Sequence, residues 1–173
     1  MAEFIIESLA ADQIRAVYPL VREAFPPLDL ASWLRFARQL TGPRRKGQSG
    51  IMAARREARV FPCGLFCYRV EDDLELGKVL VADHFVAVDL LDPAGVLVAL
   101  VEELDSLARH LGCRAVRSLV HDGKADVADG FHAAGHRREG ASLLLKKLRQ
   151  PATSLGAGAE SRRGPRVPSA AIA

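Results

Sequence analysis

The sequence predicts an α/β (α+β) fold: a mixed, mostly antiparallel central sheet flanked by helices, with one central pair of parallel strands. Three observations predict it. An apolar run from Val79 to Val88 passes through a short turn into an amphipathic helix that ends near Leu111. The acidic link Glu71–Gly77 joins two extended segments, Val60–Val70 and Lys78–Val88, as a hairpin. A further apolar segment, Ala115–Val120, follows that helix closely enough to lie parallel to the strand before it.

The remaining elements follow in chain order. Phe4-Ile5-Ile6 reads as a short strand. Asp12 opens a helix with Ile14, Val17, Tyr18 and Val21 at helical spacing. Pro19 lies inside that pattern and is expected to kink it. Asp29 caps a second helix bearing Leu30, Trp33, Leu34, Phe36, Ala37 and Leu40. Thr41–Gly50 reads as a flexible basic loop, and Ile51–Arg56 as the next extended segment. The long helix, from about Pro93 to Leu111, sets Leu97, Leu100, Val101, Leu104, Leu107 and Ala108 on one face. Gly112 stands where a left-handed cap residue ends it. Asp126–Ala134 reads as a short helix closed by Gly135, and Ser142–Leu148 as a last strand. From residue 149 onward the chain is Pro, Ala, Gly, Ser and Arg without periodicity. One domain over residues 1–148 and a disordered tail over 149–173 are expected.

Composition narrows the function classes. The chain has 173 residues, 49% hydrophobic and 26% charged, with only 6% aromatic. Leu, Val and Ala must therefore supply most of the core. The net charge of +3 falls to near +1 once Arg162, Arg163, Arg166 and Glu160 of the tail are set aside. Such a body lacks the basic stripe and stacking aromatics of a nucleic-acid binder. No apolar run reaches the roughly 18–20 residues a membrane span needs, so no membrane partner is expected. The first residues lack the basic and apolar regions of a signal peptide. Three cysteines, Cys63, Cys67 and Cys113, suit a reducing cytoplasm better than a disulfide framework. The abundant Ala and Arg read as the usage of a GC-rich bacterial genome. Self-association as a homodimer stays open.

Two segments carry candidate chemistry. Asp83 and His84 are adjacent on the apolar strand and are expected on opposite faces, so at most one serves as a general base. His121 and Asp122 end the following strand. His132 reads as solvent-facing. Asp92-Pro93 is a good helix start, with Asp at the N-cap and Pro at the first helical position. A carboxylate there satisfies the N–H groups that an anion would use, and repels it. Cys63 and Cys67 lie four apart on one strand and are expected on one face. With His84 they fall one ligand short of a structural zinc site, so no metal is expected.

The order strand, two helices, antiparallel strands, strand–helix–strand–helix–strand resembles the GNAT superfamily of N-acetyltransferases. The resemblance covers roughly residues 3–148 and rests on Leu100, Leu104, Ala108 and Gly112, then on LVHDGKADVADGFHAAGH (Leu119–His136). It implies acetyl-CoA as co-substrate, with the acyl arm along Phe85, Val86, Ala87 and Val88. It implies a diphosphate loop at Pro93, Ala94, Gly95, Val96 and Leu97, where the family's glycine-rich pattern keeps only Gly95. It sets Phe131 where many members carry a proton-donating Tyr, and Phe25, Leu28, Trp33 and Phe36 in the acceptor region. The implied reaction is direct attack of an amine on the thioester, with His84 or Asp83 as base. The acceptor, a small molecule or a protein amine, is not specified by the sequence. The missing loop glycines, Asp92 and Phe131 favour the alternative, a catalytically inactive GNAT-fold protein for binding or regulation.

Overall fold

The computed structural model describes residues 4–45, 47–89, 91–119 and 125–137. Among the described residues, five strands form one sheet in the order β1-β2-β3-β4-β5: Phe4–Ser8, Ser49–Arg56, Gly64–Asp73, Gly77–Ala87 and Ala115–Ser118. Neighbours are antiparallel except β4 and β5, which are parallel. The expected sheet type, hairpin and parallel pair are all present. The expected strand Ser142–Leu148, the tail, and the His121, Asp122 pair lie outside the described residues. Among the described residues, no helix is long and apolar enough to cross a membrane.

Helices cover both faces. On one side α1 (Tyr18–Ala24) and α2 (Leu30–Thr41) bury Val21, Trp33 and Ala37 against Ile51, Ala53, Leu65 and Cys67. On the other, α3 (Pro93–His110) and α4 (Ala125–Ala133) meet the sheet through Leu100, Leu104 and Phe131, over Ala54, Phe66, Leu80 and Ala82. Strand alternation explains the split: even-numbered residues of β2 and β3 face α3, odd-numbered ones face α2.

Several boundaries differ from expectation. Residues 11–17 form turns closed by three-residue hydrogen bonds, such as Ala16 N–H to Gln13 O at 2.9 Å, and the helix begins at Tyr18. Pro19 therefore starts α1 rather than kinking it. Its ring removes a backbone donor, which costs nothing in a first turn and would break a helix interior. The basic loop is shorter than expected, because Pro43–Arg45 makes a 3₁₀ turn and β2 already starts at Ser49. β3 starts at Gly64, and residues 60–63 precede it outside the strand. β4 ends at Ala87, so Val88 lies beyond it and is exposed. Asp29 caps α2 as expected, its Oδ1 accepting from Ser32 N–H at 2.6 Å. Gly112 and Gly135 take the left-handed conformation after α3 and α4, with φ of 68° and 87°.

Candidate active site

The β3–β4 hairpin is irregular in one place. Leu65 pairs with Val86 and Cys67 with Asp83, so two steps on β3 meet three on β4. The extra residue is a β-bulge. Within it His84 adopts φ 55°, the one positive φ at a non-glycine among the described residues. His is among the types that tolerate this region.

The bulge changes which way the candidate bases point. Asp83 sits opposite Cys67 and binds Arg69, whose Nη1 donates to Asp83 Oδ2 at 2.8 Å. His84 packs on the α1–α2 side, 5.7 Å from the ring of Phe25 and 5.3 Å from that of Phe36. Both therefore lie on one face. The expectation of opposite faces assumed unbroken alternation, and the inserted residue breaks it. His84 Nδ1 lies 3.9 Å from Asp83 Oδ1 and is buried without a hydrogen-bond partner.

A cavity of about 510 Å³ opens on this face. Phe25, Leu28, Trp33 and Phe36, the four residues taken from the helix region of the sequence, all line it, with Cys67 and His84 at the sheet. Trp33 Nε1 donates to Ile14 O at 2.8 Å, so the indole shows the cavity only its ring. Burial, and secondarily the Asp83 carboxylate, pushes the Cys67 thiol far above its ordinary pKa, so it stays protonated at neutral pH.

The cysteines do not share a face. Cys67 is in the α2-side core, whereas Cys63 packs against the α3-side cluster, its Sγ 3.6 Å from Ala54 O. Cys63 precedes β3, so strand alternation does not apply to it. Among the described residues, no three His, Cys, Asp or Glu side chains gather as metal ligands.

On the opposite edge of β4 the parallel ladder with β5 runs from Val79–Ala115 to Ala82–Ser118, and Leu119 N–H reaches Ala82 O at 3.3 Å. Beyond Ala82 no described residue pairs with that edge. Phe85 is buried among Phe66 and Phe131, with ring centroids 5.2 and 4.9 Å away. Val86 points into the α2-side core, and Ala87 pairs with Gly64. His132 is exposed, its Nδ1 3.1 Å from His136 O.

The turn before α3 is filled by its own carboxylates. Asp92 Oδ1 accepts from Gly95 N–H at 2.8 Å. Asp89 Oδ1 accepts from Leu91 N–H and Asp92 N–H at 2.8 and 2.9 Å. Arg56 of β2 donates to both Asp89 oxygens, at 2.8 and 2.9 Å. The Asp89 side chain is only 5% exposed. The Arg56 guanidinium, aided by the two backbone donors, holds this carboxyl well below the usual carboxylate range. Val96 and Leu97 are buried, so only backbone groups are on offer in that turn.

Solved structures share the fold. An aminoglycoside N-acetyltransferase, AAC(6')-Iy, in complex with CoA superposes with TM-score 0.71 at 12% identity, over 85% of this chain and 96% of that one. Glucosamine-6-phosphate N-acetyltransferase from Arabidopsis thaliana gives 0.66 at 14%, over 86% and 99%. A transcriptional regulator from Bacillus halodurans C-125 gives 0.70 at 12%, over 84% and 100%. The fold is that of the GNAT N-acetyltransferases. Neither a protein-family model nor a curated protein matches the sequence.

Against the GNAT frame the residues fit one part of a CoA molecule and not another. The β5-side edge at 83–87, without a partner among the described residues, suits an extended amide-bearing arm, since unpaired strand groups hydrogen-bond such a chain. The helix start does not suit the diphosphate. Its free donors at Leu91, Asp92 and Gly95 are taken, and two carboxylates stand where the anion would go. The N-cap role of Asp92 was legible in the sequence. The clamp from Arg56 was not, because its partner lies 33 residues away.

Proposed function

We propose that the chain is an N-acyltransferase of GNAT type. It takes the acyl group of a pantetheine thioester, acetyl-CoA in the first instance, and passes it directly to an amine held in the α1–α2 cavity. One observation carries this reading: the bulge sets His84 at the cavity, in the same stretch of β4 whose β5-side edge has no partner among the described residues. Donor arm and acceptor nitrogen would then meet across a single strand.

The roles follow from the geometry. Main-chain groups of Phe85, Val86 and Ala87 align the arm. His84, whose imidazole lines the cavity, takes the proton of the attacking amine, directly or through one water. Phe131 has no proton to give, so solvent protonates the departing thiolate. A thiolate is a fair leaving group, and loss of a dedicated acid slows such a step without abolishing it.

The test is release of free thiol from acetyl-CoA in the presence of an amine panel, with His84→Asn as control. Asn tolerates the left-handed backbone of that position. Thiol release that falls about 100-fold or more in the variant supports the reading. The Asp89–Asp92 turn favours a second reading, a catalytically inactive GNAT-fold binding protein. Calorimetry that finds no acetyl-CoA binding at millimolar ligand would move the assignment there.

A further inference from the structure

We propose that the α1–α2 cavity is a binding site for a small apolar amine, an aryl- or alkylamine with one nitrogen. The choice of an amine rests on the acyl-transfer reading. The apolar character rests on the cavity alone.

Its volume of about 510 Å³ lies in the range of small-molecule sites. Its described walls contain no Asp, Glu, Lys or Arg. The one basic side chain in them is His84, and burial holds the Cys67 thiol protonated. The polar tips of the aromatic shell are spent elsewhere. Trp33 Nε1 donates to Ile14 O, and the Tyr18 hydroxyl donates to Leu28 O at 2.9 Å. Asp83 is the nearest carboxylate to His84, and Arg69 holds it outside the lining.

A ligand that fills this space meets mostly rings and methyl groups, with His84 and the Cys67 thiol as the polar side chains at the sheet. A second ammonium, a hydroxyl-rich sugar or a phosphate would be buried there without a partner, at a cost of several kcal/mol for a charge. A phenyl or short alkyl group loses nothing by entry and gains contact with Phe25, Trp33 and Phe36. The nitrogen then lies at the His84 end. The cavity thus selects against a polycationic acceptor of the aminoglycoside kind, although the backbone superposes on an enzyme named for such a substrate.

The chain carries its own reporter. It has one tryptophan, and that residue lines the cavity. Trp33 emission is followed during titration with 2-phenylethylamine, with 2-phenylethanol, and with the polycations spermidine and neamine, and calorimetry repeats each titration without an optical readout. A saturable response to 2-phenylethylamine below about 1 mM, at least tenfold tighter than to either polycation, is the expected result, since tenfold corresponds to about 1.4 kcal/mol. The neutral alcohol should bind within about tenfold of the amine. Ala24→Phe, which sets a ring in the cavity, should weaken the amine at least tenfold while the melting transition stays cooperative.

Absence of a saturable response to about 10 mM amine by both methods overturns the proposal, as does equal or tighter binding of a polycation. The failure of the acyl-transfer reading looks different. Binding of the apolar amine with no thiol released from acetyl-CoA leaves the site standing and removes the reaction. Thiol release with polycations alone keeps the reaction and removes the proposed ligand class.

Discussion

Asp83 and His84 are consecutive on β4, yet both face α1 and α2, because His84 takes φ 55° inside a one-residue bulge. Two candidate bases that ideal pleating would separate are thereby set 3.9 Å apart beside one cavity. Left-handed backbone costs a non-glycine residue roughly 1–2 kcal/mol, so this arrangement is held by its surroundings.

That strain can be measured. His84→Gly releases it and His84→Ala does not, while both lose the contacts to Phe25 and Phe36. The Gly variant should be more stable than the Ala variant by about 1 kcal/mol in chemical denaturation. Equal stability, or a more stable Ala variant, would mean that the positive φ is not retained in solution.

The turn before α3 gives a second test. Asp92→Ser keeps an oxygen for the Gly95 N–H and removes a negative charge from the positive end of the helix. Acetyl-CoA should bind the variant about tenfold more tightly by calorimetry, the size expected for one like-charge repulsion near a surface. Unchanged or weaker binding would show that Asp92 does not oppose the anion.

Asp89 should govern acid stability. Arg56 and two backbone N–H groups depress its pKa in the folded chain below the ordinary 3.8. A carboxylate so depressed stabilises the fold at pH above its unfolded pKa, and that contribution fades as pH falls through the lower folded value. Thermal melts should therefore show wild type losing stability below about pH 4. Asp89→Asn should start lower at pH 7, by on the order of 5 °C, and lose less on acidification. Parallel pH profiles would sink this account.

Gly64 tests how closely α3 sits on the sheet. A Cβ there would lie 2.5 Å from Val96 Cγ1 and 3.0 Å from the Val86 carbonyl oxygen. Because one of those neighbours is backbone and the other is a buried β-branched side chain, relief needs movement of the helix. Gly64→Ala should destabilise by about 1–3 kcal/mol. A neutral result would place α3 farther from β3 than the structure has it.

Most of the scaffold was legible because local rules and tertiary packing agree in it. Leu97, Leu100, Val101 and Leu104 repeat at helical spacing, and all are buried. Glu71–Gly77 reads as a turn, and a hairpin does form there, although the strands run on to Asp73 and from Gly77, whose φ is 73°, and leave only residues 74–76 as the turn. Asp29 and Asp92 read as caps and act as caps. The misses are non-local. No local signal marks an inserted residue at His84, because a bulge is defined by the register of a second strand. Pro19 reads as a kink only because the helical pattern begins too early: Ile14 and Val17 are buried at helical spacing while the backbone there only turns. The pairs Arg69–Asp83 and Arg56–Asp89 join separate strands and loops, which charge patterning within one segment does not reveal.

The carboxylates at the start of α3 amount to a tethered ligand. A group attached by a few bonds is present at a high effective concentration that dilution never lowers. An anion from solution meets this helix end only in the fraction of molecules whose turn has let go. Its apparent dissociation constant is the intrinsic one divided by that fraction. A turn closed nine times in ten raises the required concentration about tenfold, and one closed ninety-nine times in a hundred about a hundredfold. A donor that depends on this end would therefore be taken up only when abundant, and the threshold would be set by how firmly Arg56 holds Asp89.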